Sequence, residues 1–352
     1  MTRVAMCGWE TGNINQIGSV TSNGATIAVA NSTPTARTGT YYLKVNGQND
    51  TSGQPANGVS IPMGSLLEHY GRVGLYIPVA NGPMARIPFE WLDSAAAVQL
   101  RLVLDDADNL LRIYRGAANT LLATSATTFS KAIWHLVEWH VRVDPTTGIF
   151  QMKVDGATVL DYTGNTQQTA NANVATVRLA SMNQSSSGWG NTHCFDDLAI
   201  NSTAGTLNNS WPGDGAIRAL LPNGVGSTIG GTPLTGVPGA PNWGNVDEVP
   251  PSTTDYNYGS TVGTGELYTL TDLSGVGNAY AVNIIAYALN SDAGGGSIGL
   301  TLNTGAANNE GAAQAITASA GFYNRLLETD PTDSTAWTQT KLNALQVGIT
   351  VR

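Results

Sequence analysis

Cysteine is almost missing from this chain: Cys7 and Cys194 are the only two in 352 residues. Two thiols so far apart exclude a disulfide framework and a structural zinc site, so stability has to come from buried apolar area and backbone hydrogen bonding. Charge is scarce as well, with Asp, Glu, Lys and Arg making up 12% of the residues. What charge there is leans acidic, 16 Lys and Arg against 25 Asp and Glu, for a formal net charge of −9. No basic stripe interrupts that balance, which excludes a nucleic-acid partner, whose phosphates reward clustered Lys and Arg. No run of about 18 apolar residues occurs, so membrane insertion is not expected. The opening Met-Thr-Arg-Val-Ala-Met-Cys holds no apolar stretch of signal-peptide length, and an extracellular role would be reached by release within a particle. Nor is there a phosphate-binding G-x-x-x-x-G-K-[ST] loop or a metalloprotease histidine pair, and no cofactor is expected.

Glycine, by contrast, is plentiful: 41 of 352 residues, falling with Asn and Thr between short apolar runs. A chain that reverses often places its glycines there, which predicts an all-β protein built as two β-sandwich domains in series. The clearest strands lie between residues 98 and 200. Val98, Leu100, Leu102 and Leu104 alternate with more polar neighbours, and Leu111 and Ile113 resume the pattern after a turn. From Trp134 to Asp144, Val137, Trp139, Val141 and Val143 share one face while Glu138, His140 and Arg142 share the other, which predicts a half-buried strand. Phe150, Met152 and Val154 return the chain, and Asp155-Gly156 is a type I′ hairpin signal leading to a strand over Thr158–Tyr162. Val174–Ala180, Phe195–Ile200, Tyr41–Val45 and Gly71–Pro78 complete the first domain, placed at residues 1–204; the first dozen residues read as an edge strand or an arm.

Residues 201–265 are crowded with Gly, Pro, Asn, Ser and Thr and read as a linker plus long loops opening a second sandwich over 205–352. Within it, Leu267–Leu270, Ser297–Leu302, Gly321–Glu328 and Gln346–Val351 read as strands. The apolar run Tyr280–Leu289 suits a central strand covered on both faces, and Trp337, Lys341, Leu342 and Leu345 keep helical spacing.

Groups able to do chemistry are few. His135 and His140 differ by an odd number of strand positions and face opposite ways, and His193 beside Cys194 lacks further ligands, so no metal site is predicted. Adjacent Asp196 and Asp197 should likewise point to opposite faces, which argues against a glycosidase pair unless another strand brings Glu138 or Asp161 near. Asp105, Asp106, Asp108 and Asn109 read as a solvated turn, lacking the Gly and distal Glu of an EF-hand loop. No catalytic residue is assigned. The binding candidates are aromatics among small polar groups, where an indole can stack on a sugar ring while amides meet its hydroxyls: Trp189 and Asn191, then Trp211 and Trp243.

The order of segments resembles the concanavalin A-like (laminin-G-like) jelly-roll domains of tailed-bacteriophage structural proteins. The matching pieces are Gly8-Trp9-Glu10-Thr11-Gly12, Ala36-Arg37-Thr38-Gly39-Thr40-Tyr41-Tyr42-Leu43, the Trp134–Val143 strand with Val154-Asp155-Gly156, and Phe195-Asp196-Asp197-Leu198-Ala199-Ile200. The resemblance implies a non-enzymatic virion protein on the particle surface, a capsid decoration, head fibre or tail-associated component. Its partners would be other virion proteins and symmetric copies of itself. Lectins of this broad fold use calcium and manganese, but no such ligand set is matched here. Two other functions stay open: a carbohydrate-binding adhesion module recognising host surface glycans, and a polysaccharide-degrading enzyme.

Overall fold

The computed structural model describes residues 2–22, 26–47, 57–79, 85–117, 120–183, 191–239, 241–275, 277–292, 294–305 and 307–352. They fall into two compact units, Thr2–Arg218 and Ala219–Arg352, so residues 205–218 belong with the first.

Strands of the first unit begin with β1 Arg3–Cys7, β2 Ser19–Thr21, β3 Thr26–Ala30, β4 Tyr42–Gly47, β5 Gly58–Leu66, β6 Glu68–Tyr76 and β7 Ala85–Leu92. They continue as β8 Val98–Asp105, β9 Leu110–Arg115, β10 Thr120–Thr128, β11 Trp134–Arg142, β12 Gly148–Val154, β13 Ala157–Gly164, β14 Val174–Asn183 and β15 Asn191–Ser202. Two antiparallel sheets result. The larger has the order β13-β12-β11-β6-β15-β4-β3, with β1 also paired to β15; the other has the order β10-β9-β8-β7-β14-β5-β2. This is an all-β, concanavalin A-like sandwich. The first residues are therefore a strand of the sheet, Ala5 to Cys7 facing Ile200 to Leu198.

Alternation explains why these segments pair face to face. Val137, Trp139 and Val141 of β11, Phe150 and Met152 of β12, and Val73 and Leu75 of β6 point inward and are almost wholly buried with Phe89, Trp91 and Leu102 of the other sheet. Aromatic edges and faces interlock: Phe89 lies 5.6 Å from Trp139 and 5.8 Å from Phe195, and Trp91 lies 5.3 Å from Phe150. Trp139 fits because its cross-strand partner is Gly71, where any side chain would overlap the indole. The expected half-burial of β11 does not hold. Glu138 and His140 on its outer face are 4% and 6% exposed, because residues 211–215 cross over that face.

The second unit holds a six-stranded sheet in the order Pro222–Ile229, Gly265–Leu270, Gln346–Val351, Gly296–Asn303, Asn308–Glu310, with Gln314–Ile316 also on Gly296–Asn303. Residues 222–229 are thus a strand within the stretch read as linker and loops; Gly224 and Gly226 let it approach Gly265–Leu270 closely. Val282–Ala288 is a strand, but not a central one: among the described residues it pairs only with Gly321–Leu327. Its inward row packs on Leu300, Leu302 and Trp337, while Asn283, Ile285 and Tyr287 remain half exposed. The helical spacing near the end yields one short helix, Gln339–Asn343, capped by the Thr338 hydroxyl.

Two predictions follow from this packing. Gly71→Ala should lower unfolding stability by about 1–3 kcal/mol through overpacking against Trp139, read as a fall in the denaturant midpoint; an unchanged midpoint would mean the indole can move aside. His69 and His193 are fully buried, and burial pushes both imidazoles down to about 3 from the ordinary 6.5. The unfolded chain takes up these protons below about pH 6.5 and the folded chain does not until about pH 3. Their contribution is therefore complete above 6.5 and lost as pH falls, by up to about 1.4 kcal/mol per pH unit for each histidine. Neither ring nitrogen of His69 has a hydrogen-bond partner. His69→Leu should accordingly flatten the loss of stability between pH 6.5 and 4, and an identical slope in the variant would assign the loss elsewhere.

Candidate functional site

Strand β15 breaks its own alternation. Its pairing with β6 shifts between Asp196 and Ala199, and Asp197 takes a positive φ of 54°, so a bulge turns both neighbouring carboxylates toward the same segment. Asp196 Oδ2 accepts the backbone N–H groups of Arg37 and Thr38 at 2.9 and 3.1 Å. Asp197 accepts the Thr38 hydroxyl and an Arg37 guanidinium N–H, both at 2.7 Å, and the Ile217 N–H at 2.7 Å. The opposite-face expectation for this pair is thus corrected. Both carboxylates are buried and fully occupied in holding the chain, which leaves none free for a substrate. Burial first, then the Asp197 charge, raises the Asp196 pKa.

Glu10 completes the grip, its carboxylate accepting the N–H groups of Thr40 and Tyr41 at 3.0 and 3.2 Å. Gly39, at φ 64°, sits where a side chain would strike that carboxylate. The turn over 37–41 is fixed from both ends, and Arg37 is delivered to the outer face of the larger sheet. There its guanidinium also bonds Asp214 and, at 3.2 Å, the Gly215 carbonyl. Burial works against the Arg37 charge, but Asp214 and Asp197 outweigh it and raise the pKa. The same crossing segment is pinned by Arg72, which donates to the Gly213 carbonyl at 2.7 Å, and by Glu138, which accepts the Gly213 N–H at 2.7 Å.

On one side of the crossing, Trp211 is wedged. Its ring lies 5.5 Å from Tyr70, which itself stacks on His140 at 4.1 Å, and the Lys153 ammonium sits 3.8 Å from the indole centroid. His140 bonds Glu68 at 2.7 Å and lies 3.3 Å from the Gln151 side-chain oxygen.

On the other side an open cleft of about 340 Å³ is lined by Arg37, Trp134, Leu136, Glu138, Asp155, Gly156 and Asp214. Trp134, Leu136 and Glu138 are successive outward positions of β11. Trp134 is held by its N–H to the Thr35 carbonyl at 2.8 Å and by Tyr42 and Tyr76 at 5.8 and 5.6 Å. Asp155 and Gly156 form the hairpin turn after β12, with φ of 50° and 81° as a type I′ turn requires. The Asp155 carboxylate accepts the Leu136 N–H at 2.9 Å and meets His135 Nδ1 at 2.6 Å. An indole, a guanidinium and three carboxylates therefore border one cavity.

Of the residues singled out from sequence, Trp189 lies outside the described residues, and Asn191 opens β15 opposite Gly47. Trp211 belongs to the first unit as a packed strut beside the cleft, and Trp243 to the second, in the short turn Asn242–Asn245. The cleft residues went unassigned apart from Glu138, named only as a remote partner. An outward Trp two and four residues before Leu136 and Glu138 was the available signal. The acidic turn at 105–109 is not solvated throughout: Asp106 is buried between Arg86 at 2.9 Å and Lys131 at 2.6 Å, and Asp105 and Asp108 meet Arg112. Among the described residues no three His, Cys, Asp or Glu gather as metal ligands, and no helix is long and apolar enough to cross a membrane.

No family model matches the chain, and no curated protein does. Several solved structures are similar to the chain. The endo-β-1,4-glucuronan lyase of the fungus Trichoderma reesei is 15% identical over 57% of this chain and 96% of that one, with a TM-score of 0.44. The cellulose-induced protein Cip1 is 16% identical over 60% of this chain and 100% of that one, with a TM-score of 0.47. The carbohydrate-binding module CBM66 of Bacillus subtilis is 13% identical over 52% and 100%, with a TM-score of 0.33. Sialidases, a galectin and alginate lyases are similar too. The likeness extends to the fold alone. None of these similar structures is named as a virion component, so the capsid-decoration, fibre and tail identity expected above is withdrawn. The exclusion of an enzyme is withdrawn as well: it rested on the absence of carboxylates sharing a groove, and Glu138, Asp155 and Asp214 line one cleft.

Proposed function

We propose that the first unit binds carbohydrate in the cleft over β11. The observation that carries this reading is the immobilised Trp134 indole bordering a cavity that Arg37, Glu138, Asp155 and Asp214 also line. A pyranose offers an apolar C–H face and a rim of hydroxyls. The indole suits the first, while Glu138, Asp155, Asp214 and Arg37 supply acceptors and donors for the second. The cavity volume lies in the range of small-ligand sites, and its parts are fixed before any ligand arrives, which keeps the ordering cost of binding low.

Trp134→Ala should weaken retention on immobilised glycans at least about tenfold, or roughly 1.4 kcal/mol. Trp134→Phe should recover part of it, with the melting temperature measured to confirm folding. Undiminished retention by a folded Trp134→Ala protein would end this reading.

A second reading, cleavage of the bound glycan, is favoured by three carboxylates around one cavity. Glu138, the most buried of them, is the candidate acid or base. If cleavage occurs, Glu138→Gln should abolish release of new chain ends while glycan retention persists; no release by the unaltered protein from any retained glycan would leave binding alone.

A further inference from the structure

Resting on the carbohydrate-binding reading, we infer that the cleft selects glycans without acidic groups and favours sugars carrying a free amine over their uncharged or N-acylated counterparts. The charge of its walls carries this inference. Glu138, Asp155 and Asp214 face the cavity against a single guanidinium, that of Arg37. Arg37 is not available to an incoming anion: one arm lies 2.7 Å from buried Asp197 and also bonds the Gly215 carbonyl, and the other bonds Asp214. Arg72 stands behind the crossing segment, donating to the Gly213 carbonyl, and does not line the cavity. His135 is engaged by Asp155 on one ring nitrogen and by the Ser130 carbonyl, at 3.0 Å, on the other. Lys153, the remaining nearby cation, lies over Trp211. The one cation lining the cleft, Arg37, is already matched, and among the lining residues the carboxylates outnumber the guanidinium.

A uronate or sialate carboxylate entering this space would meet like charges, and the one guanidinium lining it is already engaged. An ammonium on the sugar ring would instead complete the acidic walls with charge-assisted hydrogen bonds. Asp214 is the informative position, because its side chain is 73% exposed and its loss leaves the grip of Asp196, Asp197 and Glu10 intact while releasing one arm of Arg37.

Titration calorimetry of the whole chain with β-1,4-linked oligomers of equal length, of glucosamine, N-acetylglucosamine, glucose and glucuronate, tests this. The glucosamine oligomer should bind about tenfold more tightly than the glucose and N-acetylglucosamine oligomers at low salt, with that advantage shrinking as salt rises, and the glucuronate oligomer should bind weakest. Asp214→Asn should cut the glucosamine-to-glucose ratio severalfold and admit the glucuronate oligomer. Binding of the glucuronate oligomer as tight as that of the glucose oligomer, or an unchanged ratio in Asp214→Asn, would overturn the selectivity while leaving carbohydrate binding in place. Failure of all four oligomers, and of a wider glycan array, would remove both.

Discussion

Two neighbouring carboxylates on β15, Asp196 and Asp197, hold the 37–38 turn by its backbone and its guanidinium, and the outer face of the larger sheet is arranged around that grip. Burying two such charges is costly unless each lone pair is met. Here the bulge delivers both carboxylates to a cluster of N–H donors, while burial and the Asp197 charge still raise the pKa of Asp196. The arrangement explains why Arg37-Thr38-Gly39 and Phe195-Asp196-Asp197, far apart in sequence, both stand out as motifs: they are two halves of one contact.

The same contact organises what lies above the sheet. Arg37 reaches on to Asp214, Asp197 accepts the Ile217 N–H, and Arg72 and Glu138 fix Gly213 from below, so residues 211–217 are tied to the sheet at several points. Each tie satisfies a polar group that the crossing would otherwise leave buried and unmatched. The outer row of β11 is thereby divided: His140, with Tyr70 of β6, is closed under Trp211, and Trp134, Leu136 and Glu138 are left along an open cavity.

Local patterns were legible in the sequence where a single strand or turn determines them. The alternation of β8, β11 and β12 and the Asp155-Gly156 hairpin read correctly because side-chain parity and positive φ are local properties. The Asp196–Asp197 bulge was not legible, since strand parity assumes an unbroken ladder and only the pairing with β6 reveals the shift. Val282–Ala288 misled for a related reason: apolar residues on both faces can signal a central strand or an edge with a half-exposed row. The cleft was the least accessible feature, for it joins residues 37, 134–138, 155–156 and 214, which only sheet order and the crossing segment bring together.

What separates an indole that can receive a sugar from one that merely fills space is how its neighbours use it, and composition cannot report that. Trp211 sits in a run rich in small polar residues, as a binding loop would, yet Lys153 lies over its ring and Tyr70 and His140 bound it, so part of its apolar surface is used within the fold. Trp134 begins an ordinary strand, gives its N–H to Thr35, leans on Tyr42 and Tyr76, and still borders open volume. An aromatic fixed in this way loses little freedom when a ligand stacks on it, whereas a mobile loop indole would have to be ordered first. The strand-borne tryptophan is therefore the better platform on physical grounds, although the loop-borne one has the more suggestive sequence.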